Sequence, residues 1–265
     1  MEKKILHIPA DGVTLYAEQR GQGPLLVVMP DGTNDCEPYA KLCELMADEY
    51  TVVTFDPRGG SRSMPQVDQK VTAEILAEDL AAIIRYMDMG KASVFGVSSG
   101  GQGALMLGVL YPELVKNVMV HEAALMMDGQ LPGVTFDFFQ TINQTYAARC
   151  SGFLPHEMSL YVGICPADAF APEVVERINA NNAYWMQYYF GVQDSHSYTK
   201  EELARIPHAD WTVGCWTPSW HTYGNIETAK RGGFPYTWLP SAHTPHLTCP
   251  ELLAQQLKKT IKKYE

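Results

Sequence analysis

The chain has 265 residues, 46% hydrophobic and 19% charged, a composition that excludes disordered and fibrous classes and allows one large globular domain. A formal net charge of −10 argues against nucleic acid and anionic membrane partners. No apolar run approaches the roughly 20 residues needed to cross a bilayer. Met1–His7 also lacks a signal-peptide core, and the six cysteines (36, 43, 150, 165, 215, 249) contain no C-x-x-C pair, so reduced thiols in a cytoplasm are expected.

Ile5–Pro9 and Val13–Glu18 read as strands of a hairpin turning at Asp11-Gly12. Leu25–Met29 is a continuous apolar run, the pattern of a strand buried on both faces, and it ends at Pro30-Asp31-Gly32. A helix over 38–47 leads to a second buried strand, Thr51–Phe55. Another helix over 72–89 follows, with Ile75, Leu76, Leu80, Ile83 and Ile84 on one stripe. Val94-Phe95 forms the next strand, and a helical pattern runs from Ala104 to Leu110. Val115–Val120 is a further strand, leading directly into His121-Glu122. Repeated β-α units imply a mainly parallel sheet with helices on both faces.

From Ala123 to His208 the strand alternation stops. Proline-punctuated helical pieces rich in Phe, Tyr and Trp take over, among them Phe136, Phe138, Phe139, Tyr146 and Tyr161. This segment reads as a helical cap inserted between residues 1–122 and 209–265 of a core domain. The sheet resumes at Trp211–Trp216, a loop covers 217–224, and a helix forms near 226–230. A last strand, Phe234–Leu239, precedes a loop bearing His243 and His246, and a helix over 250–263 closes the chain.

Gly96-Val97-Ser98-Ser99-Gly100, between a strand and a helix, is a G-x-S-x-G nucleophile elbow. Its glycines allow a turn too tight for a Cβ, and the serine is presented at a helix N-terminus. Serine needs a base to take its proton, and the base needs a third group to orient it. Of eight histidines, His243 lies in a loop just past a sheet strand and late in the chain, where the base of such a fold belongs. The loop after the 211–216 strand contains no Asp or Glu, Asp210 precedes that strand, and Glu227 falls inside a helical pattern. Glu122, at the carboxyl end of the preceding strand, is therefore the expected acid. The backbone N–H groups of Ser99 and Gly32 are the expected oxyanion donors. No metal or organic cofactor is required, and protonation of His243 in acid should lower activity.

The chain resembles the zearalenone hydrolase family of α/β-hydrolases nearly end to end. The segments that carry the likeness are Val28-Met29-Pro30-Asp31-Gly32 with Cys36, the elbow, His121-Glu122, Asp210-Trp211-Thr212-Val213-Gly214 with Thr217-Pro218, Asn225-Ile226, and Leu239-Pro240 with His243 and Pro245. The resemblance implies an α/β-hydrolase fold with an inserted helical cap, and a lactonase that opens a macrocyclic resorcylic acid lactone. By similarity Ser98, Glu122 and His243 match the family's triad and Gly32 and Ser99 its oxyanion hole. Trp185 matches a cap tryptophan that contacts substrate, and Tyr189 a neighbouring pocket tyrosine. Phe190 stands where the family has proline, and the 219–224 loop, with Tyr223, differs where aromatic residues meet substrate. Trp185, Tyr189, Phe190 and Tyr223 are thus the expected substrate-binding residues, and an apolar lactone or ester the expected partner, with a homodimer allowed. The same triad also serves carboxylesterases and C–C hydrolases, and the same fold serves some small-ligand receptors.

Overall fold

A computed structural model describes residues 2–125, 170–194, 196–217 and 219–265. The cap aromatics at 136, 138, 139, 146 and 161, and Cys150 and Cys165, lie outside the described residues. Eight strands form one sheet in the order β1-β2-β4-β3-β5-β6-β7-β8. They are β1 Lys4–Ala10, β2 Val13–Arg20, β3 Leu25–Met29, β4 Thr51–Phe55, β5 Ala92–Val97, β6 Val115–His121, β7 Ala209–Gly214 and β8 Tyr236–Leu239. The hairpin β1–β2 is antiparallel, and β2 meets β4 antiparallel. Every pairing from β4 to β8 is parallel. The described helices are α1 Ala40–Met46, α2 Ala73–Met87, α3 Ser99–Leu110, α4 Pro172–Tyr184, α5 Lys200–Leu203, α6 Ser219–Gly232, α7 Pro245–Thr248 and α8 Pro250–Lys263. None is long and apolar enough to cross a membrane.

Alternation along the central strands builds two core layers, because successive side chains leave a strand on opposite faces. Leu25, Val27 and Met29 of β3 join Val94 of β5 and Val118 and Val120 of β6 against α2 and α3. Leu26 and Val28, with Phe95, Val97 and Met119, pack the other face against α1 and α8. Helix α3 is buried over nearly its whole length, so it is apolar all round rather than striped. Tyr184, Tyr189, Val192, Tyr198, Leu203 and Ile206, from the segment after 170, belong to the same packed layer as α2 and α3.

Three elements differ from the sequence expectation, the shortest being α7, which takes in Pro245–Thr248 where a loop was expected. Helix α3 begins at Ser99, not near Ala104, because its early glycines are demanded by contact rather than by propensity. A Cβ on Gly101 would sit 2.8 Å from that of Ala123, and one on Gly103 2.8 Å from that of Leu76. Residues 219–224, expected as loop, form the first turns of α6. Tertiary bonds override their weak helix propensity. The Asn225 side chain donates to the carbonyls of Ala123 at 2.9 Å and His221 at 3.1 Å and accepts from the Trp211 indole at 3.2 Å.

Candidate active site

Strand β5 ends at Val97 and α3 starts at Ser99, leaving Ser98 alone at the bend with φ 54° and ψ −120°. Only glycine fits on either side. A Cβ on Gly96 would lie 2.2 Å from the Gly100 carbonyl oxygen, and one on Gly100 2.4 Å from that of Pro30. The bend is stitched to its neighbour strand: Ser98 N–H donates to the His121 carbonyl at 3.1 Å, and Ala124 N–H to the Ser98 carbonyl at 2.9 Å.

Val97 is paired in register with His121, so Ser98 and Glu122 leave adjacent strands side by side. Glu122 also has a positive φ, 43°, uncommon for a residue with a side chain. Its carboxylate is fully buried and fully bonded. Oε1 accepts from Gly214 N–H at 2.7 Å, and Oε2 from the Thr217 hydroxyl at 3.1 Å and His243 Nδ1 at 2.8 Å. Burial alone would raise its pKa, but neighbouring His121 and the bond from His243 outweigh that and hold it below the ordinary carboxylate range. An ionised acceptor at Nδ1 fixes the His243 tautomer and leaves Nε2 as the accepting nitrogen.

Two more histidines flank this pair. His121 Nε2 lies 3.6 Å from Glu122 Oε2 and its Nδ1 3.0 Å from the Thr212 hydroxyl. The His221 ring stands edge-on to His243 with centroids 4.2 Å apart. Burial lowers the pKa of His121 to about 4 and of His221 to about 3, so both are neutral at pH 7. One imidazole is thus carboxylate-bonded, and its neighbours add no competing charge.

Gly32 follows β3 on a loop fixed from below. Asp31 N–H donates to the Tyr39 hydroxyl at 3.1 Å, and Tyr39 stacks on His246 at 3.9 Å. That stack accounts for His246, which lies in α7 rather than in the expected loop. From above Gly32 is covered by Trp185: a Cβ on Gly32 would lie 2.8 Å from Trp185 Nε1. Ser99 heads α3, and its amide belongs to the exposed-dipole end of that helix.

The remaining expected residues divide. Trp185 lies over Gly32 and meets Phe190 edge-to-face at 5.7 Å. Tyr223, half-buried, lies on α6 rather than in a loop. Tyr189 differs from expectation: it is 1% exposed, its hydroxyl donates to the Arg58 carbonyl at 2.8 Å, and it packs the core instead of facing a substrate. Of the acids passed over, Asp210 accepts from the Tyr264 hydroxyl at 2.7 Å and Glu227 pairs with Lys230 at 3.0 Å. The sequence reading missed Gly214, Thr217 and His221. A hydroxyl residue just past β7, where the acid would otherwise stand, is the signal that points to Thr217.

Among the described residues, two buried groups have metal-ligating side chains: His121, Glu122 and His243, and Asp35, Cys36 and Asp56. In the second, guanidiniums occupy the place of a cation. Arg62 binds both Asp56 oxygens, at 2.7 and 2.9 Å, and Arg177 binds both oxygens of Asp35. In the first, every oxygen of Glu122 already accepts a protein hydrogen bond. Four described cysteines, 36, 43, 215 and 249, are free thiols.

The sequence pattern of the alpha/beta hydrolase fold matches residues 24–184. A zearalenone hydrolase from Cladophialophora bantiana is 33% identical over 259 residues, 96% of this chain and 95% of that protein. One from Bionectria ochroleuca is 31% identical over 261 residues, 96% of each. Among solved structures, an E-2-(acetamidomethylene)succinate hydrolase superposes with a TM-score of 0.72 at 18% identity, covering 98% of this chain and 100% of that one. The enol-lactonase of Burkholderia xenovorans superposes with a TM-score of 0.71 at 14% identity, covering 97% and 100%. At those identities the structures speak to the fold alone.

Proposed function

The chain belongs to the zearalenone hydrolase family of α/β-hydrolases, and from that premise we propose that it is a serine-dependent lactonase that opens a macrocyclic resorcylic acid lactone such as zearalenone. Ser98 Oγ attacks the lactone carbonyl while His243 Nε2 takes its proton. The Ser99 and Gly32 amides hold the oxyanion, and Glu122 stabilises the imidazolium. Collapse breaks the ring C–O bond, and His243 returns the proton to the leaving alkoxide. Water, deprotonated by the same imidazole, then releases the hydroxy acid and restores Ser98. Trp185 and Phe190 line the acyl side of the pocket, and residues 123–208 act as its cap.

The observation that carries this reading is the 2.8 Å bond between Glu122 and His243, with Glu122 and Ser98 each one residue past strands whose ends, His121 and Val97, pair in register. The pairing also explains why α6 has no acidic partner for His243. Product analysis of zearalenone tests the proposal. Wild type should yield the ring-opened hydroxy acid over many turnovers, and Ser98→Ala none. Turnover of short acyl esters with none of the lactone would indicate a general carboxylesterase. A single slow turnover would indicate a receptor.

A further inference from the structure

Helix α4 grips the loop that carries Gly32 one residue at a time. Arg177, Asn181 and Trp185 are spaced i, i+4, i+8, which puts them in one row along the helix. Arg177 forks onto Asp35, with Nη2 3.1 Å from Oδ1 and Nε on Oδ2. The Asn181 carboxamide donates to the carbonyls of Thr33 at 2.8 Å and Asn34 at 3.3 Å. It also accepts from Ser61 N–H at 2.7 Å and reaches the Ser61 hydroxyl at 2.9 Å. Trp185 then covers Gly32. The gripped loop is strained at Asn34, φ 51°, and the loop after β4 that Asn181 also holds is strained at Ser61, φ 46°. The grip is also buried: Asp35 and Asn34 are 0% exposed and Asn181 4%.

We propose that Asn181 and Arg177 are positioning residues for the oxyanion site: they fix the 33–35 backbone so that the Gly32 amide aims at the developing oxyanion while Trp185 closes over it. This rests on the hydrolase reading above. Backbone amides cannot be replaced by mutating their own side chains, so their aim has to be set by what grips the neighbouring carbonyls. One amide donor is worth on the order of 10²–10³ in kcat. Misaiming it without losing it should cost on the order of 10- to 100-fold.

The experiment compares wild type with Asn181→Ala, Asn181→Asp, Arg177→Ala and Arg177→Lys. Rates are measured well below each variant's melting temperature. Substrates are zearalenone and 4-nitrophenyl acetate, whose small acyl group does not need the Trp185 wall. Phosphorylation of Ser98 by diisopropyl fluorophosphate, with fluoride leaving, gives a third rate that needs no lactone. The proposal expects kcat for both substrates and the phosphorylation rate to fall by roughly 10-fold or more in Asn181→Ala, Asn181→Asp and Arg177→Ala. KM for the acetate should be unchanged, and Arg177→Lys should recover part of the loss. Loss of thermal stability with all three rates within about 2-fold of wild type would overturn it. So would a defect confined to KM for zearalenone, which would make the row a pocket wall only. If Asn181→Ala does not fold, Arg177→Lys and Asn181→Asp decide the question alone. Wild type that leaves zearalenone intact yet reacts with the acetate and the fluorophosphate would sink the lactonase reading while leaving this test valid.

Discussion

Glu122 and Asp35 are both fully buried carboxylates with both oxygens hydrogen-bonded, and both are held below the usual carboxylate range. Their partners differ. Glu122 is bonded by a backbone amide, a hydroxyl and an imidazole, so its negative charge stays uncancelled and directed at a ring that can gain a proton. Asp35 is bonded by a guanidinium fork and the Ser61 hydroxyl, with a second guanidinium at 3.5 Å, so its charge is spent on holding two segments together. Burial and a shifted pKa do not separate the two carboxylates; the identity of their donors does, and it fits the proposed catalytic role of Glu122.

The largest expected break in that contrast is at Glu122. Glu122→Gln keeps the shape but removes the charge, and should lower kcat by roughly 10⁴-fold, with Ser98→Ala at least as severe. Steady-state hydrolysis measures both. Denaturant unfolding should show Glu122→Gln losing far less in stability than in rate. Arg177→Met should lower stability as well as rate. It leaves a buried carboxylate short of its fork and should cost about 2–3 kcal/mol in a urea titration, the range for a hydrogen bond to a charged group. A loss under about 0.5 kcal/mol would mean that Arg62, Ser61 and the Glu37 amide suffice for Asp35.

Acid sharpens the comparison next. His121, His221 and His246 have pKa values pushed down by burial to about 4, 3 and 3, from an ordinary value of 6.5. The unfolded chain therefore binds protons that the fold refuses. Their stabilisation is whole above about pH 6.5 and drains as pH falls toward 4, with the depressed carboxylates of Glu122 and Asp35 adding to the loss lower still. Melting temperature should fall steeply from pH 6.5 to 4.5, and His221→Phe should flatten the slope. An unchanged slope in that variant would mean His221 is already charged in the fold. The smallest effect belongs to Glu227→Gln. Its pairing with Lys230 is at the surface, so stability should move by less than about 0.5 kcal/mol and turnover not at all.

The sheet was legible because β3, β4 and β5 are short runs bounded by turn residues and buried at every position, the pattern of central parallel strands covered on both faces. Glu122 was legible for a positional reason: it stands immediately past a strand end, where no solvated face explains it. The Arg177-Asn181-Trp185 row was not. A helix read by its apolar stripe discards polar residues as solvent-facing, and nothing local tells Asn181 that its partners lie at Thr33, Asn34 and Ser61. Tyr189 misled for the complementary reason. Aromatic rings satisfy a core and a pocket equally, and only the Arg58 carbonyl decides between them. The start of α6 was hidden because Asn225 is a poor helix former until Ala123 and Trp211 are brought to it.

Glu122 stands at the end of β6, and the end of β7 contributes to it only an amide from Gly214 and a hydroxyl from Thr217. That division of labour releases the following stretch from any duty to ionise. Helix α6 can then carry His221 up to the His243 imidazole, ring centroids 4.2 Å apart, without disturbing the Glu122–His243 pair. Divergence in what such enzymes accept should therefore accumulate along this helix first, while the neighbouring strand end stays as it is.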